Sequence, residues 1–221
     1  KIFLLNMKEI ILFGSGGHSN VVIDIVNKRK IKIVGYLDVK KNNFSQIKYL
    51  GNISENTKLL KKKKIKGFIA IGNNYIRKNV YETINNINPN FKWEKLIDPS
   101  CIISKNTFIG DGSIVIAGSV INAKTIIGRH CIINTKNSID HDNFIDDFSS
   151  TGPSVTTGGT VKIGKTSHIG ISSTIKNNIN IGSNTIIGSC SFVNKNCLSN
   201  TLYVGKPSKK KKIWKYGRNY L

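Results

Sequence analysis

No stretch of eighteen or more apolar residues occurs in the 221 positions of this chain, so no membrane-crossing helix and no membrane insertion are expected. The opening KIFLLNMKEI holds too short an apolar run for a secretory leader. Position 1 is Lys and the only methionine is Met7, so the native start is expected at Met7, with six residues upstream of it. Acidic residues are scarce: 12 Asp and Glu stand against 34 Lys and Arg, a net charge of +22. Two lysine runs, Lys61 to Lys64 and Lys209 to Lys212, concentrate that charge. Such clusters hold phosphates. No recognition helix, RNA-binding aromatic motif or zinc pattern accompanies them, and the abundance of Lys, Asn and Ile together reads as an AT-rich coding sequence. No specific nucleic-acid partner is expected; attraction for small anionic ligands is. The four cysteines, Cys101, Cys131, Cys190 and Cys197, lack metal-type spacing, so no metal is expected and a reducing, cytoplasmic setting is.

What the chain does have is a period of six. From Ile97 an aliphatic residue returns at Ile103, Ile109, Val115, Ile121, Ile127, Ile133, Ile139 and Ile145, and then from Ile163 to Val193. Neither a helix nor an alternating strand has this period. Six residues per short strand plus corner is the spacing of a hexapeptide solenoid, in which three repeats complete one coil of a triangular prism. Four residues after each aliphatic position sits a small one (Cys101, Thr107, Ser113 and onward), expected to fill the corners from inside; Cys101, Cys131 and Cys197 fall in this register. Glycine, Asn or Asp follows many of the aliphatic residues (Gly110, Asn122, Gly128, Asn134, Asp140), which suits corners of positive φ. An ordinary β-sandwich would not hold one register so long. Thr151 and Thr157 break the series, and TGPSVTTGG is expected to bulge out there as a loop.

The first ninety-odd residues read as alternating strand and helix: strands near 10–13, 31–37 and 67–71, and helices near 20–28, 57–64 and 75–87. That pattern implies a small parallel sheet with crossover helices. The expected fold is therefore α/β plus all-β, with a Rossmann-like domain over 7–95, a left-handed parallel β-helix over 96–204, and a tail over 205–221 that folds back or frays. In the first part, Gly14 to Ser19 form a glycine-rich turn at a helix start, where bare N–H groups favour an anion. Asp38 ends the second strand, where a carboxylate meets a ribose or base. Ser19 replaces the third glycine of a dinucleotide fingerprint, so half a unit and a mononucleotide fit better; a tight turn without ligand is the plain alternative, and His18 is either a ligand contact or a helix-start residue.

Of the four histidines, His141 stands out. It lies two residues after inward Ile139, at a corner, between Asp140 and Asp142, and a flanking carboxylate orients an imidazole and raises its basicity. A solvated corner histidine is the other reading.

Several segments together resemble the bacterial nucleotide-sugar acetyltransferases of the hexapeptide class: the UDP-4-amino-sugar N-acetyltransferases, the perosamine N-acetyltransferases and the sialic acid O-acetyltransferases. They are Leu12-Phe13-Gly14-Ser15-Gly16-Gly17-His18, Tyr36-Leu37-Asp38, Ile71-Gly72-Asn73-Asn74 with Ile76-Arg77-Lys78, Asn134-Thr135, Ile139-Asp140-His141-Asp142 and Val204-Gly205-Lys206-Pro207. By that resemblance Gly16, Gly17 and His18 hold the diphosphate of a nucleotide sugar, Asp38 holds the nucleoside side, Gly72 lines the same pocket, and Asn134 joins the substrate contacts. His141 is the general base, with Asp142 standing where the family often has Glu. Gly159 and Ile171 meet acetyl-CoA through the backbone, Gly159 as an oxyanion donor. Ser150 stands where a family histidine contacts acetyl-CoA, Ser189 where a glycine is usual in the coenzyme groove, and Val39 where a second acid often follows Asp38.

The resemblance implies acetyl transfer from acetyl-CoA to the amine of a nucleotide-linked 4-amino sugar, without a metal, in a homotrimer whose clefts lie between subunits; the Ile-Gly-Asn-Asn segment favours an amino sugar. O-acetylation of a sugar of the sialic acid type is the alternative enzyme. A non-catalytic sugar-nucleotide-binding scaffold is the alternative of another class.

Overall fold

The computed structural model describes residues 8–42, 47–62 and 65–220. Met7, Lys63 and Lys64 lie outside the described residues, and with them the expected start and half of the first lysine run. The N-terminal part is a four-stranded parallel sheet in the order β2-β1-β3-β4, from β1 (Glu9–Phe13), β2 (Lys32–Leu37), β3 (Lys66–Ile69) and β4 (Lys92–Trp93). Its helices are α1 (Gly17–Lys28), the single turn α2 (Thr57–Leu60) and α3 (Asn74–Ile87). Ile11, Phe13, Leu37 and Ile69 pack with Ile84 of α3. On the opposite side, Ile10, Leu12, Val22, Ile25 and Val26 share one core with Leu96, Ile114, Ile116 and Ile132 of the segment that follows.

From Leu96–Ile97 to Phe192–Val193 the chain is a run of two-residue strands, one every six residues. Strands 18 residues apart pair in parallel, as Ile114 with Ile132 and Ser138 with Thr156, so three repeats make one coil. The first face of the prism carries Leu96–Ile97, Ile114–Val115, Ile132–Ile133, Ser150–Thr151, His168–Ile169 and Ile186–Ile187. The second begins at Ile102–Ile103 and includes Ser138–Ile139 and Thr156–Thr157. The third begins at Phe108–Ile109 and includes Phe144–Ile145. The inward aliphatic residues form one continuous core. Outward on the third face, Phe108, Ile126 and Phe144 stack as an exposed apolar stripe.

Two expectations are corrected. TGPSVTTGG does not bulge: Ser150–Thr151 and Thr156–Thr157 continue the stack in register. Threonine has the shape of valine, and its hydroxyl is used rather than stranded: Thr151 Oγ1 accepts from Asn134 N and donates to Ile132 O, and Thr157 Oγ1 accepts from Asp140 N. Nor do the corners place positive φ just after the aliphatic residue. The left-handed position comes three residues after it, at Gly112, Gly118, Lys124, His130, Lys136, Asp142 and on to Cys190. Each non-glycine there costs on the order of 1 kcal/mol. The cost is offset by stacking, since these amides donate to the coil before, as Asp142 N to Ala123 O (3.0 Å) and Thr160 N to His141 O (3.0 Å). Glycine directly after the aliphatic residue answers a different demand. A Cβ on Gly110 would lie 2.5 Å from Gly128 O of the next coil. Asp140 and Asp146 at such positions instead accept the following amide, at 2.8 and 2.7 Å.

The joint between the two parts is built on Arg77. It is 1% exposed, and all five of its N–H donors are used. Nε donates to His130 O, Nη1 to Ile71 O and Gly72 O, and Nη2 to Asn74 Oδ1 and Phe148 O, at 2.6–3.0 Å. Asn74 Nδ2 donates to Thr166 O and Ser167 O of the solenoid, and Asn73 caps α3 by accepting from Tyr75 N and Ile76 N. The Ile-Gly-Asn-Asn segment thus serves docking. The tail closes over it. A hairpin of Thr201–Val204 and Lys209–Ile213 extends the first face; then Tyr216 packs on Tyr75, and Tyr220 Oη accepts from Asn74 N (2.8 Å) while its ring lies on His168.

Two predictions follow from this joint. Arg77→Met leaves five buried acceptors without a donor and should cost about 3 kcal/mol or more. Arg77→Lys, with three donors for five acceptors, should recover only part of this in urea unfolding. Around the joint, burial first and the Arg77 charge second hold His18 and His168 down to about 4 and His130 down to about 3. The unfolded imidazoles take up protons near pH 6.5 and the folded ones do not, so stability should fall as pH drops from about 6.5 toward 4. An acid titration followed by chemical unfolding checks this.

Candidate active site

Ile139 points into the prism, and the turn after it lifts His141 out at the corner between the second and third faces. Asp142 takes φ +56°, which swings its carboxylate back beside the ring: His141 Nδ1 and Asp142 Oδ2 are 2.7 Å apart. Both side chains are about half exposed. Hydrogen bonding to Asp142, with the Asp140 charge second, raises the imidazole pKa above its ordinary value. With Nδ1–H given to the carboxylate, Nε2 holds its lone pair toward the outside. Asp140 faces the other way: its Oδ1 accepts from His141 N and from Asn122 Nδ2 (3.0 Å), which fixes the turn to the coil below.

One coil above lies Gly159. A Cβ there would stand 2.6 Å from both Nε2 and Cε1 of His141, so the imidazole rests on this glycine. His141 and Gly159 belong to an open groove of about 690 Å³ along the second face, with Ser138, Thr156 and Thr174 on its floor. The predicted His141, Asp142 and Gly159 are therefore neighbours, and the 18-residue coil is what brings them together.

The other predicted coenzyme and substrate residues stand elsewhere. The turns of Asn134, Ile171 and Ser189 follow Ile133, Ile169 and Ile187, so they stack along the corner between the first and second faces, one face away from His141. Ile171 and Ser189 are exposed there. Asn134 uses its side chain to accept from Thr135 N. Ser150, expected to meet the coenzyme, is instead buried on the first face. Its Oγ lies 2.8 Å from His168 Nδ1, in the part of that face that packs against the N-terminal part and the tail.

A second cleft, about 760 Å³, opens at the C-terminal ends of β1, β2 and β3. Gly14, Asp38, Val39 and Ile71 line it, with Ile76 and Val80 of α3. Of the residues predicted for the nucleotide, Asp38 lines this cleft. Its carboxylate also shapes the loop, with Oδ2 accepting from Ser15 N and Ser15 Oγ and Oδ1 from Val39 N. Gly16 and Gly17 are exposed at the start of α1, with nothing within 4 Å of where a Cβ would stand, so the helix N-terminus is open to a ligand. His18 does not line the cleft, and its Nε2 is buried without a partner. Gly72 does not line it either; its carbonyl is part of the Arg77 cage. Arg77 and Asn74 are the residues sequence reasoning missed as architecture, although both lie in a segment it had singled out. Among the described residues no His, Cys, Asp and Glu group is arranged to hold a metal ion, and no helix is long and apolar enough to cross a membrane.

Comparison with known proteins extends this picture. Residues 9–84 match the family model of the PglD N-terminal domain. The chain is 33% identical over 114 residues to UDP-N-acetylbacillosamine N-acetyltransferase of Bacillus subtilis (strain 168), a match spanning about half of each chain (50% and 52%). In fold it is similar to a variant of perosamine N-acetyltransferase from Caulobacter crescentus in complex with CoA and GDP-perosamine. There the TM-score is 0.87 and the identity 26%, over 92% of this chain and 97% of that one. It is also similar to the acetyltransferase domain of PglB from Neisseria gonorrhoeae in complex with acetyl coenzyme A, with a TM-score of 0.84 and 26% identity over 93% and 100%. The expected left-handed β-helix following a small parallel-sheet domain is the fold these proteins share with it. Over residues 9–84 the chain is thus similar to the PglD N-terminal domain, and over nearly its whole length it is similar in fold to nucleotide-sugar acetyltransferases of the hexapeptide-repeat type.

Proposed function

We propose that this chain is an acetyl-CoA-dependent N-acetyltransferase acting on a nucleotide-linked amino sugar. The observation that carries the reading is the His141–Asp142 pair resting on Gly159: an outward imidazole nitrogen, made more basic by its neighbour, beside a turn able to present a backbone N–H. The amine nitrogen attacks the thioester carbon and its proton passes to His141 Nε2. The Gly159 amide stabilises the oxyanion, an interaction worth about 3 kcal/mol in comparable sites. The C–S bond then breaks, and His141 returns the proton to the departing thiolate. The N-terminal cleft and the open start of α1 suit a nucleoside diphosphate, with Gly16, Gly17 and Asp38 as contacts.

In this reading the enzyme is a homotrimer. The two groups of residues lie on different corners of one prism, and a cyclic assembly brings the corner of one copy against the face of the next. The exposed stripe of Phe108, Ile126 and Phe144 gives such a contact apolar area to bury. Ile171, Ser189 and Asn134 would then meet coenzyme and substrate across the contact from His141.

Thiol release from acetyl-CoA, measured with UDP-, GDP- and dTDP-linked amino sugars and with free sialic acid, tests the reading. One nucleotide-linked amino sugar should be turned over, and His141→Ala should lower kcat by about a hundredfold or more. Release with sialic acid alone would move the assignment to O-acetylation. Nucleotide-sugar binding without any transfer would leave a scaffold. The base works only when neutral, so the rate should rise with pH through the raised pKa of His141. Asp142→Asn removes the main cause of that shift, and the acidic limb of the kcat/KM profile should move to lower pH.

A further inference from the structure

Within the prism, the corner positions that follow the six-residue register carry Ser, Thr, Cys or an aliphatic residue from Cys101 to Cys197, with two exceptions, Asn137 and Asn143. The usual hydroxyl donates to one carbonyl, fifteen residues on, as Ser113 to Gly128 O, Ser119 to Asn134 O and Ser173 to Gly188 O, and accepts from the amide eighteen residues on, as from Cys131 N, Asn137 N and Ser191 N. The two asparagines do more. Asn143 Nδ2 lies 2.6 Å from Asp140 O, 3.2 Å from His141 O and 3.0 Å from Gly158 O. Asn137 does the same for Asn134 O, Thr135 O and Gly152 O. The interior therefore singles out the turn of His141 and the turn of Asn134.

Both asparagines bury an Oδ1 that has no partner. An unpaired buried acceptor is costly, and a serine would avoid it while keeping the bond to the next coil. Around Asn143 the next side chains of the same corner are those of Val161 and Ile179, which offer its Oδ1 no donor. The amide thus gains only the hold on the turn itself. That hold is shared from three sides: Thr125 Oγ1 donates to Asp140 O from below, Thr160 N to His141 O from above, and Asn143 from inside.

We infer that Asn143 is a positioning residue for the acetyl transfer: from inside the prism it ties the backbone of the base, His141, to Gly158, the residue before the Gly159 amide. This rests on the acetyltransferase reading. Asn143 touches no reacting atom. It sets the distance between the imidazole and the turn that would receive the oxyanion; a hydroxyl in its place keeps the bond to Gly158 O and gives up those to Asp140 O and His141 O, so the turn loses its hold from inside.

Asn143→Ser tests it, with Asn143→Thr, which matches Thr125 in the same corner, as the variant to use if the serine protein does not fold. Two readouts are taken: steady-state kinetics, and the titration of the His141 imidazole by NMR, where Asp142, Asp140 and Lys124 are the charged groups that act on the ring. The expected result is kcat lower by about tenfold or more, KM for both substrates within about twofold, and an imidazole pKa lower than in the parent. Ser113→Ala, which removes a corner hydroxyl bonded to Gly128 O and Cys131 N away from both groups of site residues, should lower the melting temperature and leave kcat unchanged. Unchanged kcat and unchanged titration in a folded Asn143 variant would overturn the inference, as would a kcat loss matched by an equal loss in Ser113→Ala. A parent protein inactive on every nucleotide-linked amino sugar would sink the acetyltransferase reading instead, and the titration would still report whether Asn143 orients the ring.

Discussion

A guanidinium buried without a carboxylate holds this molecule together. The five acceptors around Arg77 are carbonyls and one side-chain amide, drawn from the end of β3, from two successive coils of the solenoid and from α3 itself. Each is a partial charge rather than a full one, so the cation is neutralised only when all of them are in place. This makes the relative position of sheet and prism all-or-none. The effect spreads: burial at the joint, together with this charge, keeps three imidazoles neutral, and Asn74 and Tyr220 can only meet where Arg77 has set α3. The position of the N-terminal cleft relative to the corners of the solenoid is set by this cage together with the apolar core that α1 and β1 share with the first coils.

The solenoid supplies a different kind of precision. Its repeat places any two residues 18 apart one above the other, and the chain uses that to lay an imidazole on a glycine. The inverse relation appears where His130 lies one coil after Gly112, but there the ring is enclosed by Trp93, Tyr81 and Phe148 and its pKa falls, while at His141 the ring is open and its pKa rises. Two histidines, each stacked on a glycine 18 residues away, are thus given opposite chemical characters by what surrounds them. Burial removes the proton from one; a carboxylate holds it on the other.

How much of this could be read beforehand depended on how local the cause was. The prism followed from Ile97 to Val193 because a six-residue period needs no knowledge of distant parts. The His141–Asp142 pair was legible because the two are adjacent; Gly159 came only from the resemblance, and the structure adds that it lies one coil from His141. The bulge at Thr151 and Thr157 was misread because a polar residue in an apolar column looks like a break, when its hydroxyl was taken up by the backbone of the neighbouring coil. The positive φ was set at the wrong corner residue because glycine has two uses, freedom of φ and absence of a side chain, and Gly110 and Gly128 serve the second. His18, Gly72 and Ser150 were read as ligand contacts from a pattern shared with relatives, yet His18 is enclosed near Arg77, the carbonyl of Gly72 is taken by Arg77, and Ser150 is held by His168 one coil on and by Tyr220 of the tail. No short-range signal announces that.

The tail gives the molecule an order of assembly. Residues 214–220 leave the ribosome after both the sheet and the prism, and it is their Tyr220 that takes the first amide of α3 and covers His168. The joint between the two earlier parts therefore gains this outer wall only after both of them have been synthesised. Anything joined to the chain just beyond this point emerges beside the seam of the fold, and a fusion there would sit where the sheet, the prism and the tail converge.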